Sequence, residues 1–473
     1  MILEYFKKIS SIPRGSRNNE GISNFLVDFA KEHGLEYIQD DALNVVIYKD
    51  ATPGYEKCEP LILQGHMDMV CEKETGSTHD FLTEGISIIE EDGFLHADGT
   101  TLGGDDGIAV AYMLEYLADD SLVHPPLEMV ITTDEEIGMY GAAAIDASVL
   151  KGRRMINIDS EEEGIFTVSC AGGLVGEIDL PIRREGFTGE EMIIRLSGLR
   201  GGHSGIEIDK NRWNAVKTLG RFMDILDNTG VSYKLIDICG GRKDNVIPGE
   251  AVLRIAVDPD VNIQNDIRQA IKVIKSECIA AEPGISFDIS YGSVPKHNIF
   301  DVDSAKKLKQ LLTLLPCGVQ VMSAGIPGMV ESSCNIGVLN TDEKNVRIVI
   351  SMRSSKKSYI DHMSRTIEML AGITGAAYKS YGGYPGWDMK EESSFRDVLC
   401  EVYKDTFGKD PVVEGVHAGL EGGLFVEKIP DMDIVSIGPD MYDIHTTNEK
   451  IDIASVGRLD RFLRNVIERL ARG

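Results

Sequence analysis

Hydrophobic residues in the first 160 positions follow two spacings in turn, one helical and one typical of buried strands. Helical spacing is found at residues 2–9, 18–33 and 107–117. Short apolar runs are found at residues 44–50, 61–65, 127–133 and 155–159. Helices that alternate with apolar strands predict an α/β fold whose doubly wound sheet is mixed but mostly parallel. In such sheets, ligands bind beyond the carboxyl ends of the strands.

The pattern changes near residue 186. Alternating apolar and polar residues, typical of antiparallel strands, cover 191–199, 251–259, 285–292 and 346–355. Helical spacing is found at 211–229, 263–281, 305–314 and 358–374. After a glycine-rich segment at 380–388, helix and strand patterns return at 395–407, 432–440 and 455–471. We therefore predict a discontinuous catalytic domain at 1–185 and 384–473, interrupted by an α+β lid or dimerisation domain at 186–383.

Composition narrows the class of protein. A chain of 473 residues is too long for one ordinary core, so two domains are expected. The net charge of −28 argues against nucleic acid as a partner, because phosphate binding requires a basic surface. Eight scattered cysteines without a C-x-x-C pair favour reduced thiols in a cytoplasmic protein. We expect no signal peptide, because the charged N-terminal segment 1–15 lacks a long apolar core followed by a small-residue cleavage site. We expect no transmembrane helix and no membrane partner, since no apolar stretch reaches about 18 residues.

The apolar run at 61–65 is followed at once by His66, Met67 and Asp68. In an extended segment, residues i and i+2 point to the same side, so Asp68 can hold the ring of His66. A histidine that binds a metal usually donates its other nitrogen to such an acceptor. The alternative is a solvated strand end without a function, and this short motif alone does not decide between the two.

Four further motifs place carboxylates or a histidine at strand ends or in loops. A glycine-rich turn carries Asp105 and Asp106 just before a helix, and helix capping is the simpler explanation for one of them. In the acidic turn 134–136, three carboxylates would repel one another unless a cation or a shared proton relieves them. Asp159 ends another strand, and His445 lies in a loop that contains glycine and proline.

Together these motifs supply a mixed set of nitrogen and oxygen donors. The set consists of His66, Asp105, Glu136, Asp159 and His445. It suits two zinc ions bridged by Asp105, and manganese or cobalt would also fit. Two such ions polarise a carbonyl group and lower the pKa of bound water to about 7. Glu135 is then placed to accept a proton from water and to pass it to a leaving amine, which predicts amide hydrolysis.

The chain resembles the aminoacyl-histidine dipeptidase family of co-catalytic di-zinc metallopeptidases, also called carnosinase-like. The matching blocks run nearly end to end in the family's order: LILQGHMDMV, TTLGGDDGIAVA, TTDEEIGMYGA, NIDSEEEG, GLRGGHSGIEI, ESSCNIG, GLEGGLF and SIGPDMYDIH. The resemblance implies that His66 and Asp159 bind one metal. It implies that Glu136 and His445 bind the other and that Asp105 bridges the two.

The resemblance also implies roles for residues that are not ligands. Glu135 would be the general base, and Asp68 would orient His66. Some relatives have asparagine at the position of Asp106, so this residue is not expected to be an essential ligand. His203, in a turn between glycines, would reach the active site of a partner subunit and bind the scissile carbonyl oxygen there. A turn histidine without a function is the alternative.

Three residues are candidates for substrate binding. Asn245 and Arg353 are candidates for holding the terminal carboxylate of a substrate, which suits the two-pronged guanidinium of arginine. A surface ion pair is the alternative for Arg353. By analogy with the family, Glu421 would pair with the free amino group of the substrate, which an N-acylated substrate lacks.

The predicted protein is a cytoplasmic, homodimeric metallo-dipeptidase that uses two divalent metal ions, with zinc the expected metal. Its expected substrates are short peptides with a free amino terminus, in particular Xaa-His dipeptides such as β-alanyl-histidine. Two enzymes of the same architecture are alternatives, namely an aminotripeptidase and an N-acyl-amino-acid deacylase. An alternative from a different class is a metal-binding dimer that has lost catalysis.

Overall fold

The computed structural model describes residues 1–292 and 296–473, and the chain divides into two compact units. The first unit comprises Met1–Ser169, Trp387–Gly415 and Leu420–Gly473. The second comprises Cys170–Gly386 and Val416–Gly419. The second unit therefore begins at Cys170, earlier than the predicted boundary at 186, because the strand Gly172–Pro181 belongs to its sheet. A lid or dimerisation role for this unit stays a prediction.

An eight-stranded mixed sheet forms the centre of the first unit. In sheet order, its strands are Glu36–Gln39, Val45–Lys49, Leu127–Thr132, Leu61–His66, Arg154–Asn157, Asp433–Ser436, Ile165–Cys170 and Val412–Val416. The four central strands pair in parallel, and the pairings that flank them on either side are antiparallel. Leu61–His66 and Leu127–Thr132 are buried along their whole length, as strands covered on both faces require. The predicted α/β fold class is confirmed.

The other elements of the first unit are helices and one small sheet. The α-helices are Ile2–Ser10, Glu20–Glu32, Gly104–Ala118, Tyr140–Ala144, Ser394–Phe407, Gly422–Lys428 and Ile453–Arg472, with a 3₁₀ turn at Ala147–Val149. The small sheet has the strand order Met441–Tyr442, Lys450–Asp452, Phe94–Ala97 and Ile88–Glu91. The helix Gly104–Ala118 is buried on nearly every side, because its sequence is apolar all round.

The second unit is built on a large antiparallel sheet. Its strands follow the order Ser286–Tyr291, Glu190–Ser197, Ala251–Val257, Lys234–Gly240, Val330–Thr341, Asn345–Ser354, Gly172–Pro181 and Ala377–Tyr384, and Gly318–Met322 pairs with Val330–Thr341. Two short ladders pair Arg184–Thr188 with Lys296–Phe300 and Gly202–His203 with Val246–Ile247. The helices are Ala215–Thr229, Gln264–Cys278, Val302–Leu314 and Lys357–Thr374.

The core of the second unit follows from its alternating sequence. In the strand Glu190–Ser197, Met192, Ile194 and Leu196 are buried, and they pack with the apolar face of the helix Ala215–Thr229. This arrangement is the expected α+β architecture. Of the helices in the described part of the chain, none has the length and apolar character that a bilayer span requires.

Candidate metal centre

Three parallel strands bring candidate ligands to one edge of the first unit's sheet. Their register aligns His66 with Thr132 and Gln64 with Asn157. The strands therefore end at nearly the same level, and the acidic turn 134–136 and Asp159 follow within a few residues. Parallel strands have this property because their carboxyl ends meet at one edge, where α/β proteins bind their ligands.

Asp105 lies between the two candidate histidines. Its Oδ1 is 3.0 Å from Nε2 of His66, and its Oδ2 is 3.0 Å from Nε2 of His445. Nε2 of His66 is also 3.7 Å from Oδ1 of Asp159. Nε2 of His445 is also 3.1 Å from Oε1 of Glu136. The five predicted ligands thus form two donor groups that share one carboxylate, which is the arrangement expected of a bridged pair of cations.

Asp106 differs from its neighbour. Its carboxylate is fully buried and accepts a hydrogen bond from the backbone N–H of His66 at 3.1 Å. A carboxylate oxygen of Asp106 also lies within 4.8 Å of a ring nitrogen of His66 and of a carboxylate oxygen of Asp159, so these three atoms could share a metal ion. Because its contact with the backbone fixes the end of the strand, we interpret Asp106 mainly as a residue that holds His66 in place.

The acid and base strengths of these groups reflect an excess of buried negative charge. Hydrogen bonds to Asp105 and Glu136 raise the pKa of His445 to about 10. Burial, together with nearby Asp106 and Asp105, raises the pKa of Asp159 well above its ordinary value. Burial also raises the pKa of Glu135, to about 8. Several carboxylates so close together and largely buried favour the binding of a cation, and divalent cations suit the oxygen and nitrogen ligands present.

Asp68 connects the candidate base to a candidate ligand. Nδ1 of His66 lies 3.1 Å from the backbone carbonyl oxygen of Asp68 and 3.4 Å from its carboxylate Oδ1. The same Oδ1 accepts the backbone N–H of Glu135 at 3.1 Å. Oδ2 of Asp68 accepts from the hydroxyl of Ser16 at 2.8 Å. This fully buried carboxylate is thus in the position predicted for a residue that orients His66.

The first carboxylate of the acidic turn has a structural partner of its own. Oδ1 of Asp134 accepts the backbone N–H of Arg17 at 2.6 Å and the side-chain amide of Asn19 at 2.7 Å. Asp134 therefore anchors the turn, whereas the carboxylates of Glu135 and Glu136 are available for proton transfer or metal binding.

Arg14, which the sequence analysis did not single out, holds the loops that carry the ligands. Its buried guanidinium donates to the carbonyl groups of Met67 and Asp68 at 3.1 and 3.2 Å and to that of Gly103. A Cβ atom at Gly107 would lie 2.5 Å from this guanidinium, which explains a glycine at that position. Backbone carbonyls give no sequence signal, so this role was not predictable.

Glu449 was also missed. Its buried carboxylate accepts the backbone N–H groups of Leu102, Gly103 and Gly104 at 2.8, 3.0 and 2.7 Å. These three amides immediately precede Asp105. Glu449 therefore fixes the turn that presents the bridging carboxylate.

Replacing Glu449 with glutamine is expected to weaken metal binding. The amide would turn an N–H group toward backbone donors, so the free energy of unfolding should fall by about 1–3 kcal/mol. Zinc affinity should fall about 10–100-fold, as is usual when a residue that supports a ligand is lost. Chelator competition and thermal melting measure the two effects. The exposed Glu427→Gln is the control, and unchanged zinc affinity in Glu449→Gln would refute this role.

In the second unit, the ring of His203 is oriented by the backbone. Its Nδ1 accepts the N–H groups of Gly205 and Ile206 at 3.2 and 3.3 Å. Burial and the charge of Arg353 lower the pKa of His203, so the ring is neutral. A neutral imidazole whose Nδ1 accepts carries its hydrogen on Nε2, which is therefore a donor.

Arg353 also lies in the second unit, together with Asn245. The guanidinium is buried and donates to the hydroxyl of Tyr384 at 2.9 Å, and its Nε has no hydrogen-bond partner within the described residues. This burial removes the alternative of a surface ion pair. Asn245 is exposed, and its backbone carbonyl oxygen accepts the backbone N–H of Ser204 at 2.9 Å. His417 is also buried in this unit, with Nε2 2.7 Å from the hydroxyl of Ser333.

Glu421 lies in the first unit, and its burial does not suit the predicted contact with a substrate's amino group. Its side chain is fully buried at the start of the helix Gly422–Lys428. One carboxylate oxygen accepts from Gln64 at 2.5 Å and from Thr132 at 2.7 Å. A contact with a substrate's amino group requires an accessible carboxylate, and this position does not provide one.

Comparison with known proteins identifies the family. The model of peptidase family M20/M25/M40 matches residues 62–469. The chain belongs to this peptidase family. The matched segment contains every candidate site residue named above from His66 to His445.

Two relatives are similar over nearly their whole length. The cytosol non-specific dipeptidase of Escherichia coli K12 is 36% identical over 477 residues, covering 99% of this chain and 97% of the relative. The solved aminoacylhistidine dipeptidase of Vibrio alginolyticus is 34% identical with a TM-score of 0.94, covering 99% of this chain and 96% of that one. A tripeptidase from Staphylococcus aureus is 18% identical with a TM-score of 0.60, covering 100% and 98%, and shares the fold.

Proposed function

We propose that this family member is a metal-dependent dipeptidase that hydrolyses dipeptides with a free amino terminus. One observation carries the proposal: Asp105 lies between His66 and His445 with one oxygen toward each, beside a carboxylate on either side. The similarity to two full-length dipeptidases supports the same substrate class. Xaa-His dipeptides such as β-alanyl-histidine are the proposed substrates.

The residues fit two divalent cations, with zinc proposed and manganese or cobalt as substitutes. His66, Asp105 and Asp159 would hold one, and His445, Asp105 and Glu136 the other. When bound, such a pair supplies Lewis-acid polarisation of a carbonyl group and a lowered pKa of water.

The chain's own groups handle the protons. Glu135 accepts the proton of the attacking water and delivers it to the nitrogen of the departing amine. Asp68 holds the imidazole of His66 and, through the backbone N–H, the position of Glu135. To hold both groups, the side chain of Asp68 must stay in one conformation, and its complete burial restricts it in this way.

The second unit would bind the substrate. We propose that the enzyme is a cytoplasmic homodimer in which this unit forms the interface. In it, Nε2–H of His203 would donate to the carbonyl oxygen of a substrate held by the partner subunit, and this donor would stabilise the developing oxyanion. Arg353, whose buried Nε has no hydrogen-bond partner among the described residues, is proposed to bind the substrate's terminal carboxylate with Asn245.

A substrate panel tests the proposal. A free Xaa-His dipeptide should be hydrolysed, a chelator should stop the reaction, and added zinc should restore it. The N-acetylated dipeptide, and the tripeptide made by extending the dipeptide by one residue, should react more slowly. Faster reaction of the acetylated compound would indicate a deacylase, and faster reaction of the tripeptide an aminotripeptidase. Metal-loaded protein that cleaves none of the three would indicate a binding protein.

A further inference from the structure

Four buried polar side chains form a network directly beneath the candidate metal centre. Nδ2 of Asn157 donates to Oε1 of Gln64 at 2.7 Å, and Nε2 of Gln64 donates to Oε2 of Glu421 at 2.5 Å. The hydroxyl of Thr132 donates to the same oxygen of Glu421 at 2.7 Å. Each of the four residues is at most 1% exposed. Such a network is costly in a sheet interior unless it is well satisfied.

The positions of these residues along the strands are informative. Gln64 lies two residues before His66, so both side chains point to the same side of the sheet. Asn157 lies two residues before Asp159. Thr132 pairs with His66 in register and precedes the turn that carries Glu135 and Glu136. The network therefore touches each of the three strands just before its candidate ligand.

Glu421 is the member that does not come from these strands. It reaches them from the start of a helix that lies close to the sheet, where a Cβ atom at Gly422 would be 3.6 Å from Ile434 in the strand Asp433–Ser436 and 3.0 Å from the ring of Trp387. Oε1 of Glu421 has no partner among the described residues, and burial raises the pKa of the carboxyl to about 7. A neutral carboxyl makes the same two contacts through Oε2 that the structure shows.

We infer that Glu421 is a positioning residue that joins the ends of the three ligand-bearing strands and thereby holds in place the candidate ligands that follow them. Its contacts to Gln64 and Thr132 fix two strands directly, and Gln64 extends the connection to Asn157 on the third. In this role Glu421 acts through hydrogen bonds, not through charge, and it does not touch the substrate. The inference rests on the proposed two-metal dipeptidase.

The test compares Glu421→Ala, Glu421→Gln and Thr132→Val. The alanine and valine variants remove contacts of the network, so zinc affinity should fall about 10–100-fold. Their kcat should fall while KM for a free dipeptide stays within about twofold, because the substrate contacts remain. Glutamine can still accept from Gln64 and Thr132, so Glu421→Gln should restore zinc affinity and kcat.

The readouts are zinc affinity by chelator competition on metal-free protein, the spectrum of the cobalt-loaded forms, and the separate kcat and KM values. If Glu421→Ala does not fold, Thr132→Val, which removes only a hydroxyl group, decides the matter. If Thr132→Val binds zinc with the wild-type affinity, and Glu421→Ala does so as well where it folds, the inference is overturned. The network would then only contribute to packing of the core. A large rise in KM for Glu421→Gln at unchanged zinc affinity would also overturn the inference, in favour of an amine contact.

These outcomes are separable from failure of the proposed function. If the wild-type protein binds two ions and cleaves dipeptides, the proposed function holds whatever the variants do. If the wild-type protein does neither, the proposed function fails before Glu421 is tested.

Discussion

Glu135→Gln is expected to lower kcat by about 10³-fold, within the range that a lost general base costs. Glutamine has nearly the same shape but cannot accept a proton from water or return it to the leaving amine. The backbone N–H of residue 135 still donates to Asp68, so the turn should keep its position. Metal content should remain at two ions per chain, because Glu135 is not among the proposed ligands.

Two measurements check this expectation: steady-state kinetics with a dipeptide, and elemental analysis of the same samples. Glu32→Gln, an exposed carboxylate at the end of a helix, is the matched control and should behave like the wild type. Near-normal kcat in Glu135→Gln with both ions bound would show that the base is another group.

Asp105→Ala is expected to affect both metal binding and turnover, because it removes one ligand from each of the two groups of candidate ligands. Its two oxygens each lie 3.0 Å from a histidine nitrogen, so the substitution removes both contacts. At least one ion should be lost and turnover should fall to the level of the blank. The remaining ligands, two histidines and two carboxylates, would hold at most weak, independent sites.

Elemental analysis after dialysis and a dipeptide assay measure these effects. Asp120→Ala is the matched control, because its side chain is fully exposed at 100%. Retention of two tightly bound ions in Asp105→Ala would exclude Asp105 as the bridging ligand and leave the pairing of the other ligands without support.

The sequence was informative about the ligands for a physical reason. His66, Asp159 and the turn after Thr132 each follow an apolar strand, and parallel strands place such positions at one edge. The sequence alone therefore showed both the residue types of the candidate ligands and their position at the ends of strands. The distances in the structure agree with the predicted grouping of these residues around Asp105, and their roles as ligands stay a proposal.

The supporting residues could not be found in this way. Arg14 binds backbone carbonyls and Glu449 binds backbone amides, and any residue can provide such groups. Glu449 is more than 340 positions from the turn it holds, so only the tertiary fold brings them together. The orientation of His203 depends on the same kind of contact.

Two expectations were changed by packing. Glu421 was expected to contact a substrate's amino group, whereas the close approach of its helix to Trp387 at Gly422 buries the carboxylate. The domain boundary was placed too late because Gly172–Pro181 follows another strand directly and gives no sign of belonging to a different sheet. In both cases the deciding partner is distant in sequence.

The dependence of catalysis on two bound ions is best tested by a zinc titration of metal-free protein in which bound metal and dipeptide turnover are measured together. Turnover should appear only as zinc binds and should reach its plateau at two ions per chain. His66→Ala should bind fewer than two ions and should not reach the wild-type plateau. Turnover by metal-free protein, or full activity in His66→Ala, would show that catalysis does not depend on this pair of sites.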